Sequence, residues 1–283
     1  MTERLADAPA YLPPRPVSRR LRLAMPAGAC DCHFHVFGPG APLVSPRDYT
    51  PPPAGLGDWR AMAEATGIAR GVLVQPSVYG FDNRVLLGAL AAEPERLRGV
   101  VVIRAETPAE EIGRLQELGV RGVRFNLGSP GGLPLEALPR VARLVRPWRW
   151  HVQVLPRAGS LADIGALAAR EGIVIVLDHF GLVRSDDAGG MAALLRVLDG
   201  GGAWVKISAP YRLADHDAKA LVARLTRSHP ERLLWGSDWP HAGLRDAMPD
   251  DADLIDAVLD GLPGNELRRR VLVGNPLELY WSD

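Results

Sequence analysis

Eight short apolar runs, dense in valine and isoleucine, recur along the chain. They are ACDCHFHVF (29–37), RGVLVQPS (70–77), LRGVVVIR (97–104), VRGVRFNL (120–127), HVQVLP (151–156), IVIVLDHFG (173–181), AWVKIS (203–208) and RLLWGSDWP (232–240). Near-continuous apolar runs of this length fit parallel strands buried on both faces. Between them lie segments with helical spacing, at 58–69, 83–95, 108–119, 160–172, 189–200, 217–230 and 265–276. Asp58, Thr107 and Ser160 stand as capping residues before three of these, and several close on glycine. Eight strands alternating with helices predict an α/β fold, a single (β/α)8 TIM barrel. No GxGxxG follows the first strand, which places a doubly wound open sheet second. The barrel is expected over 28–283, preceded by an extended arm over 1–27 that is rich in proline and arginine.

Charge and composition narrow the partners. The 283 residues hold 33 basic and 33 acidic side chains, so neither nucleic acid nor an anionic membrane is expected to bind. No apolar run approaches the ~20 residues of a membrane span, and the first 27 residues contain no apolar core of a secretory signal. A soluble cytoplasmic protein is the expectation. The oligomeric state has no sequence signal. The two cysteines, Cys30 and Cys32, read as small buried hydrophobes. Strand alternation points them away from His33 and His35, toward the helices.

In such a barrel the chemistry gathers at the C-terminal strand ends, and there the polar residues fall. The first run ends in His33 and His35, the second in Gln75 and Ser77, and the fourth places Arg124 and Asn126 on one face. The sixth ends in His179, the seventh in Ser208 followed by Arg212, and the eighth in Asp238. Lys206 is the one ionisable group noted at a strand centre. Three histidines and an acid at one end are hard to account for structurally.

The ordered set DCHFHVFGP (31–39), RDYTPP (47–52), VQPSVYGFDNRVLL (74–87), GVRFNL (122–127), DHFG (178–181), VKISAPYR (205–212), LLWGSDWPH (233–241) and NPLELY (275–280) resembles the amidohydrolase superfamily. Within it, the chain is similar to the amidohydrolase-2 branch of 2-pyrone-4,6-dicarboxylate lactonase and the galactarolactone isomerase-like enzymes of sugar-acid lactones. That superfamily commonly holds zinc with the first-strand His-x-His pair, a fifth-strand histidine and the eighth-strand aspartate, while the sixth-strand histidine acts on water. Here the only fifth-strand histidine, His151, stands at the start, and Leu155 and Pro156 occupy the end. Four or five residues at ~3.3 Å each put His151 roughly 13–16 Å from the right place. The fourth strand offers Arg124 where a Lys or Glu could bridge two metals. A site without cofactor is therefore expected; if one Zn2+ is bound, its ligands are His33, His35, His179 and Asp238.

The resemblance implies metal-independent hydrolysis of a carboxylated lactone, as by a carboxylic-ester hydrolase in aromatic or sugar-acid catabolism. Asp238 would be the general base, and His33, His35 and His179 would polarise the carbonyl. Arg124 and Arg212 would bind substrate carboxylate, with Ser77, Tyr49 and Asn126 completing the pocket. The dicarboxylate enzyme pairs its fourth-strand arginine with a second one a few residues later; here NLGSPGG follows, with no base before Arg140. That shifts the expectation toward one carboxylate or a sugar-acid lactone, unless Arg104, Arg157 or Arg184 compensates. A lactone isomerase and a zinc-dependent decarboxylase of the same fold are the alternatives.

Overall fold

A computed structural model describes residues 8–130, 132–213 and 218–282. Eight strands form one parallel sheet in sequence order: β1 Cys30–Phe34, β2 Arg70–Val74, β3 Leu97–Val101, β4 Val120–Asn126, β5 His151–Leu155, β6 Ile175–Leu177, β7 Ala203–Ser208 and β8 Leu233–Gly236. Each of the eight expected runs contains one of them. The sheet closes through a parallel bridge between Phe34 and Trp239, where Asp238 N donates to His33 O (2.8 Å) and His35 N to Trp239 O (2.8 Å). Gly236 makes this approach possible, since a Cβ there would lie 2.8 Å from His33 N. The chain is a single (β/α)8 barrel.

Helices α1 Leu56–Thr66, α2 Arg84–Ala92, α3 Ala109–Glu117, α4 Leu138–Val145, α5 Leu161–Glu171, α6 Ala188–Asp199, α7 Ala218–Ser228 and α8 Asp251–Gly261 surround the strands. Two short helices, α9 Asn265–Arg269 and α10 Asn275–Tyr280, follow. The expected helices 58–69, 83–95, 108–119, 160–172, 189–200, 217–230 and 265–276 all have counterparts, the last broken by a wider turn at Arg270–Gly274. Sequence spacing missed α4 and α8. The first carries Pro139 in its opening turn, and the second opens on Asp250, Asp251 and Asp253 rather than an apolar stripe.

The capping expectations need correction. Asp58 lies inside α1 and accepts from Gly55 N (2.8 Å). Thr107 stands outside α3, which starts behind Pro108. Ser160 precedes α5, but its Oγ bonds Arg157 N and O instead of the helix.

The cysteines need a larger correction. From Asp31 to Phe34 the chain takes three steps where β2 takes two, a β-bulge at Cys32–His33. Alternation holds up to Cys32 and restarts at His33, so both cysteines and both histidines point inward. Cys30 and Cys32 pack inside the barrel against Val72, Val74, Val100, Val176, Trp204 and Leu234, with Tyr280 of α10 as the plug. His151 lies beside that plug, its ring centroid 5.2 Å from Tyr280. Outside the strands, Phe34 stacks on Trp59 of α1 at 4.1 Å and 10°. Truncating either ring would cost about 3–5 kcal/mol.

Residues 8–27 form no helix or strand beyond the single bridge at Ala10. Ala10 pairs with Thr50, Thr50 N donates to Pro9 O (3.0 Å), and Leu12 N donates to Leu244 O (3.1 Å).

Candidate active site

The bulge in β1 aims both of its histidines at one spot. His33 Nδ1 donates to Asp178 Oδ1 (3.1 Å), and His35 Nδ1 donates to Val74 O (2.7 Å). A carbonyl only accepts, so His35 carries its proton on Nδ1. Its Nε2 lies 3.3 Å from His33 Nε2. His179 sits in a left-handed turn (φ 49°) directly after β6, with Nδ1 2.9 Å from Ser208 Oγ.

Asp238 is also left-handed (φ 61°), just beyond β8. Among the described residues, six of the seven non-glycine positions with positive φ (His179, Phe180, Leu182, Ala209, Asp238 and His241) follow β6, β7 or β8. Such conformations cost of order 1–3 kcal/mol each and gather at functional sites.

The two oxygens of Asp238 differ. Oδ2 accepts from Arg212 Nε (2.8 Å) and from the Tyr211 hydroxyl (2.8 Å). Oδ1 has no hydrogen-bond partner among the described residues. It lies 3.6, 3.8 and 3.6 Å from Nε2 of His33, His35 and His179. Burial alone would raise this carboxyl, but Arg212 and the three imidazoles outweigh it and hold it well below the usual range. Burial draws the imidazoles toward neutrality, His35 to about 3, His179 to about 4 and His33 well below its ordinary value.

Neutral rings with protons on Nδ1 leave two lone pairs facing across 3.3 Å beside an anionic oxygen. That arrangement is repulsive unless a proton or another cation lies between them. His33 Nε2, His35 Nε2 and Asp238 Oδ1 are 3.3–3.8 Å apart. Donors ~2.1 Å from one zinc would stand roughly 3–3.5 Å apart. The donor set therefore fits a divalent cation as well as a shared proton. A second grouping, His33 with Asp178 and His179, overlaps it.

Sequence reasoning missed the layer beneath. Asp178 Oδ2 accepts from Gln153 Nε2 (3.2 Å), whose Oε1 accepts from Lys206 Nζ (2.7 Å). Lys206 Nζ is also 3.5 Å from Asp178 Oδ1, and Arg124 Nη2 is 3.7 Å from Asp178 Oδ2. Burial lowers the Lys206 pKa against the pull of Asp178. Asp31 was missed too; it accepts from Ser237 Oγ (2.6 Å), Ser237 N (2.8 Å) and Trp59 Nε1 (3.1 Å), lacing β1 to β8.

A further chain leads away from Asp238. The Tyr211 proton goes to Asp238, so His241 Nδ1 donates to the phenol oxygen (3.0 Å). His241 Nε2 is 3.2 Å from Asp251 Oδ1, in the first turn of α8. Tyr211 and His241 lie within the quoted motifs VKISAPYR and LLWGSDWPH, and only their closeness to Arg212 and Asp238 could have singled them out.

Of the nine residues singled out in the sequence, all but His33 line one cavity of about 300 Å³ at the C-terminal strand ends. His33 lies behind it, fully buried. Arg124 is 4% exposed and donates to Gln75 O (2.8 Å). Burial pushes the Tyr49 phenol, hydrogen-bonded with Ser77, up to about 12. Arg104, Arg157 and Arg184 do not line this cavity; Arg245 does. Arg184 pairs with Asp186 (2.6 Å), and Arg104 lies over the Phe81 ring. Leu155 ends β5 at the wall, and His151 is at the opposite end of that strand. A larger cavity, about 590 Å³ between α5 and α6, has Arg196 as its sole titratable lining residue. It offers no comparable chemistry.

The chain as a whole has relatives of known name. A 4-sulfomuconolactone hydrolase from Rhizobium radiobacter is 36% identical over 97% of each chain. A 2-pyrone-4,6-dicarboxylate hydrolase from Comamonas testosteroni is 34% identical over 92% of each. A crystal structure from Acinetobacter baumannii, named for 2-pyrone-4,6-dicarboxylic acid hydrolysis and holding citric acid, superposes with a TM-score of 0.79 at 26% identity. It covers 90% of this chain and all of its own. The amidohydrolase model Amidohydro_2 matches residues 30–281, and the chain belongs to that family.

Proposed function

We propose that the cavity hydrolyses a lactone bearing an acidic group, with Asp238 as the base for water. The observation that carries this is the free Oδ1 of Asp238, held ionised by Arg212 and set among three imidazole nitrogens. The names of the relatives support the reaction class, since both act on acidic lactones. Arg124, Arg212 and Arg245 supply cationic contacts for the acid group, and Tyr49, Ser77 and Asn126 supply neutral ones.

Water between Oδ1 and the carbonyl gives its proton to Asp238 as it adds to carbon. The 3.3 Å approach of the two Nε2 atoms beside the Asp238 anion favours one shared proton there, against the pull of burial toward neutral rings. The new oxyanion draws on that proton, with His179 opposite. Collapse breaks the ring C–O bond, and Asp238 returns its proton to the leaving oxygen. One water is consumed and a hydroxy acid, or its keto tautomer, is released. Asp178, Gln153 and Lys206 fix the His33 ring from below. The reading takes the shared proton as electrophile because β5 ends in Leu155 and brings no further nitrogen. Were a divalent cation bound on His33, His35 and Asp238, it would supply Lewis-acid polarisation.

The test is metal content together with lactonase rate before and after chelation. Hydrolysis of a pyrone, muconolactone or sugar-acid lactone that survives chelation in metal-free protein supports this reading. Stoichiometric zinc with loss of rate on its removal replaces the shared proton by the metal. Turnover without release of an acid equivalent makes the enzyme an isomerase.

A further inference from the structure

Asp48, Arg124, Arg212, Asp238 and Arg245 are the acidic and basic side chains that line the cavity, and four of them are already engaged. Arg212 Nε donates to Asp238 Oδ2 (2.8 Å), and its Nη2 donates to Ala242 O (3.0 Å). Arg124 is buried, donates to Gln75 O (2.8 Å) and lies 3.7 Å from Asp178 Oδ2. Asp48 accepts from Ser129 Oγ (2.8 Å). Arg245 is different. It is exposed, and among the described residues it makes no ion pair and no hydrogen bond.

The backbone around Arg245 is held on its cavity side. Arg212 grips Ala242 O, three residues before it, and Leu244 O accepts from Leu12 N (3.1 Å) of the N-terminal arm. That arm is a strap on α8: Ser18 N donates to Asp250 Oδ2 (3.1 Å), and Arg19 and Arg22 both reach Asp256. A guanidinium on an anchored backbone, with its donors unspent, is suited to the paired oxygens of an acid group. The charges of Arg212 and Arg124 are answered by Asp238 and Asp178, whereas that of Arg245 is not. Asp48 repels an anion from its own part of the lining.

We propose that Arg245 is the specificity-determining residue for the acid group of the substrate, clamping a carboxylate or sulfonate apart from the scissile ester. The proposal rests on the cavity binding acidic lactones as argued above, and adds which cation reads the acid. Arg212 and Arg124 serve mainly Asp238 and the floor of the site. Lactones whose acid group is masked lose the advantage that Arg245 confers.

The experiment compares wild type with Arg245→Gln, which removes the charge, and Arg245→Lys, which keeps the charge without the fork. Readouts are KM and kcat for an acid-bearing lactone and for the methyl ester of its acid group, together with calorimetric binding of citrate, each at low and high salt. In Arg245→Gln, KM for the acid and the citrate Kd should rise about tenfold, the worth of one partly exposed charged hydrogen bond. The kcat should stay within twofold, Tm and the KM for the methyl ester should not move, and Arg245→Lys should recover part of the loss. Salt should raise the wild-type KM more steeply than that of Arg245→Gln, because an exposed ion pair is screened. Equal KM and citrate Kd in wild type and Arg245→Gln, in an active enzyme, overturns the proposal while the hydrolase reading stands. A loss that falls equally on the methyl ester overturns it too, since the residue would then act through loop shape. A wild type that turns over no lactone and binds no citrate removes both.

Discussion

At the scale of single residues, the base role proposed for Asp238 rests on the inequality of its oxygens. Oδ2 is held by Arg212 and Tyr211, and Oδ1 is left for water. Asp238→Asn keeps the shape but cannot accept a proton; kcat should fall by about 10²–10⁴, with ligand binding largely retained. Because the carboxyl is held well below its usual range, the acid limb of kcat should lie below pH ~4. Tyr211→Phe removes a hydrogen bond that favours the charged form, so the Asp238 pKa rises and that limb should move to higher pH. A pH–rate profile of the two proteins checks the direction; a limb that stays put would remove Tyr211 from the positioning of Asp238. That His33, His35, His179 and Asp238 would meet at one end of the barrel was legible, because histidines and an acid at strand ends have few structural uses. Asp178, Tyr211 and His241 were not, because left-handed residues at or within two positions of them (His179, Ala209 and His241 itself) re-aim side chains that strand parity would send elsewhere.

At the scale of elements, all eight strands were readable from composition, since a strand buried on both faces needs only apolar residues. What alternation could not supply was the bulge at Cys32–His33, which leaves no mark in residue type. It turns both thiols into the barrel interior, and burial pushes the Cys30 thiol well above its ordinary pKa. Both cysteines should be inert to a thiol reagent in the native protein and both should react once it is unfolded; a thiol count under native conditions checks this. The strap also has an element-scale signature. Asp250 and Asp256 are held below the usual carboxylate range despite burial, by Ser18 and Arg15 at one site and by Arg19 and Arg22 at the other. A depressed folded pKa stabilises above the unfolded value near 3.9 and is lost as pH falls through the folded one. Amide exchange in residues 8–22 should therefore accelerate below pH ~4, ahead of exchange in the strands.

For the whole molecule, the barrel brings the two ends of its strand series into contact. The Asp238 carboxylate and the first-strand histidines are neighbours because Phe34 meets Trp239. Asp31 reinforces that seam with three bonds to Ser237 and Trp59. Asp31→Ala should cost about 3 kcal/mol or more by leaving buried donors unpaired, seen as a large drop in Tm, whereas changes at the α5–α6 cavity should leave activity untouched. The plug at the other end has its own consequence. Tyr280 fills the floor of the inner core from the last helix, so during synthesis the interior stays open until that helix has left the ribosome. His33 and His35 must wait for their partner acid through some two hundred residues of translation. Ribosome-bound intermediates halted before residue 275 should therefore remain protease-sensitive throughout.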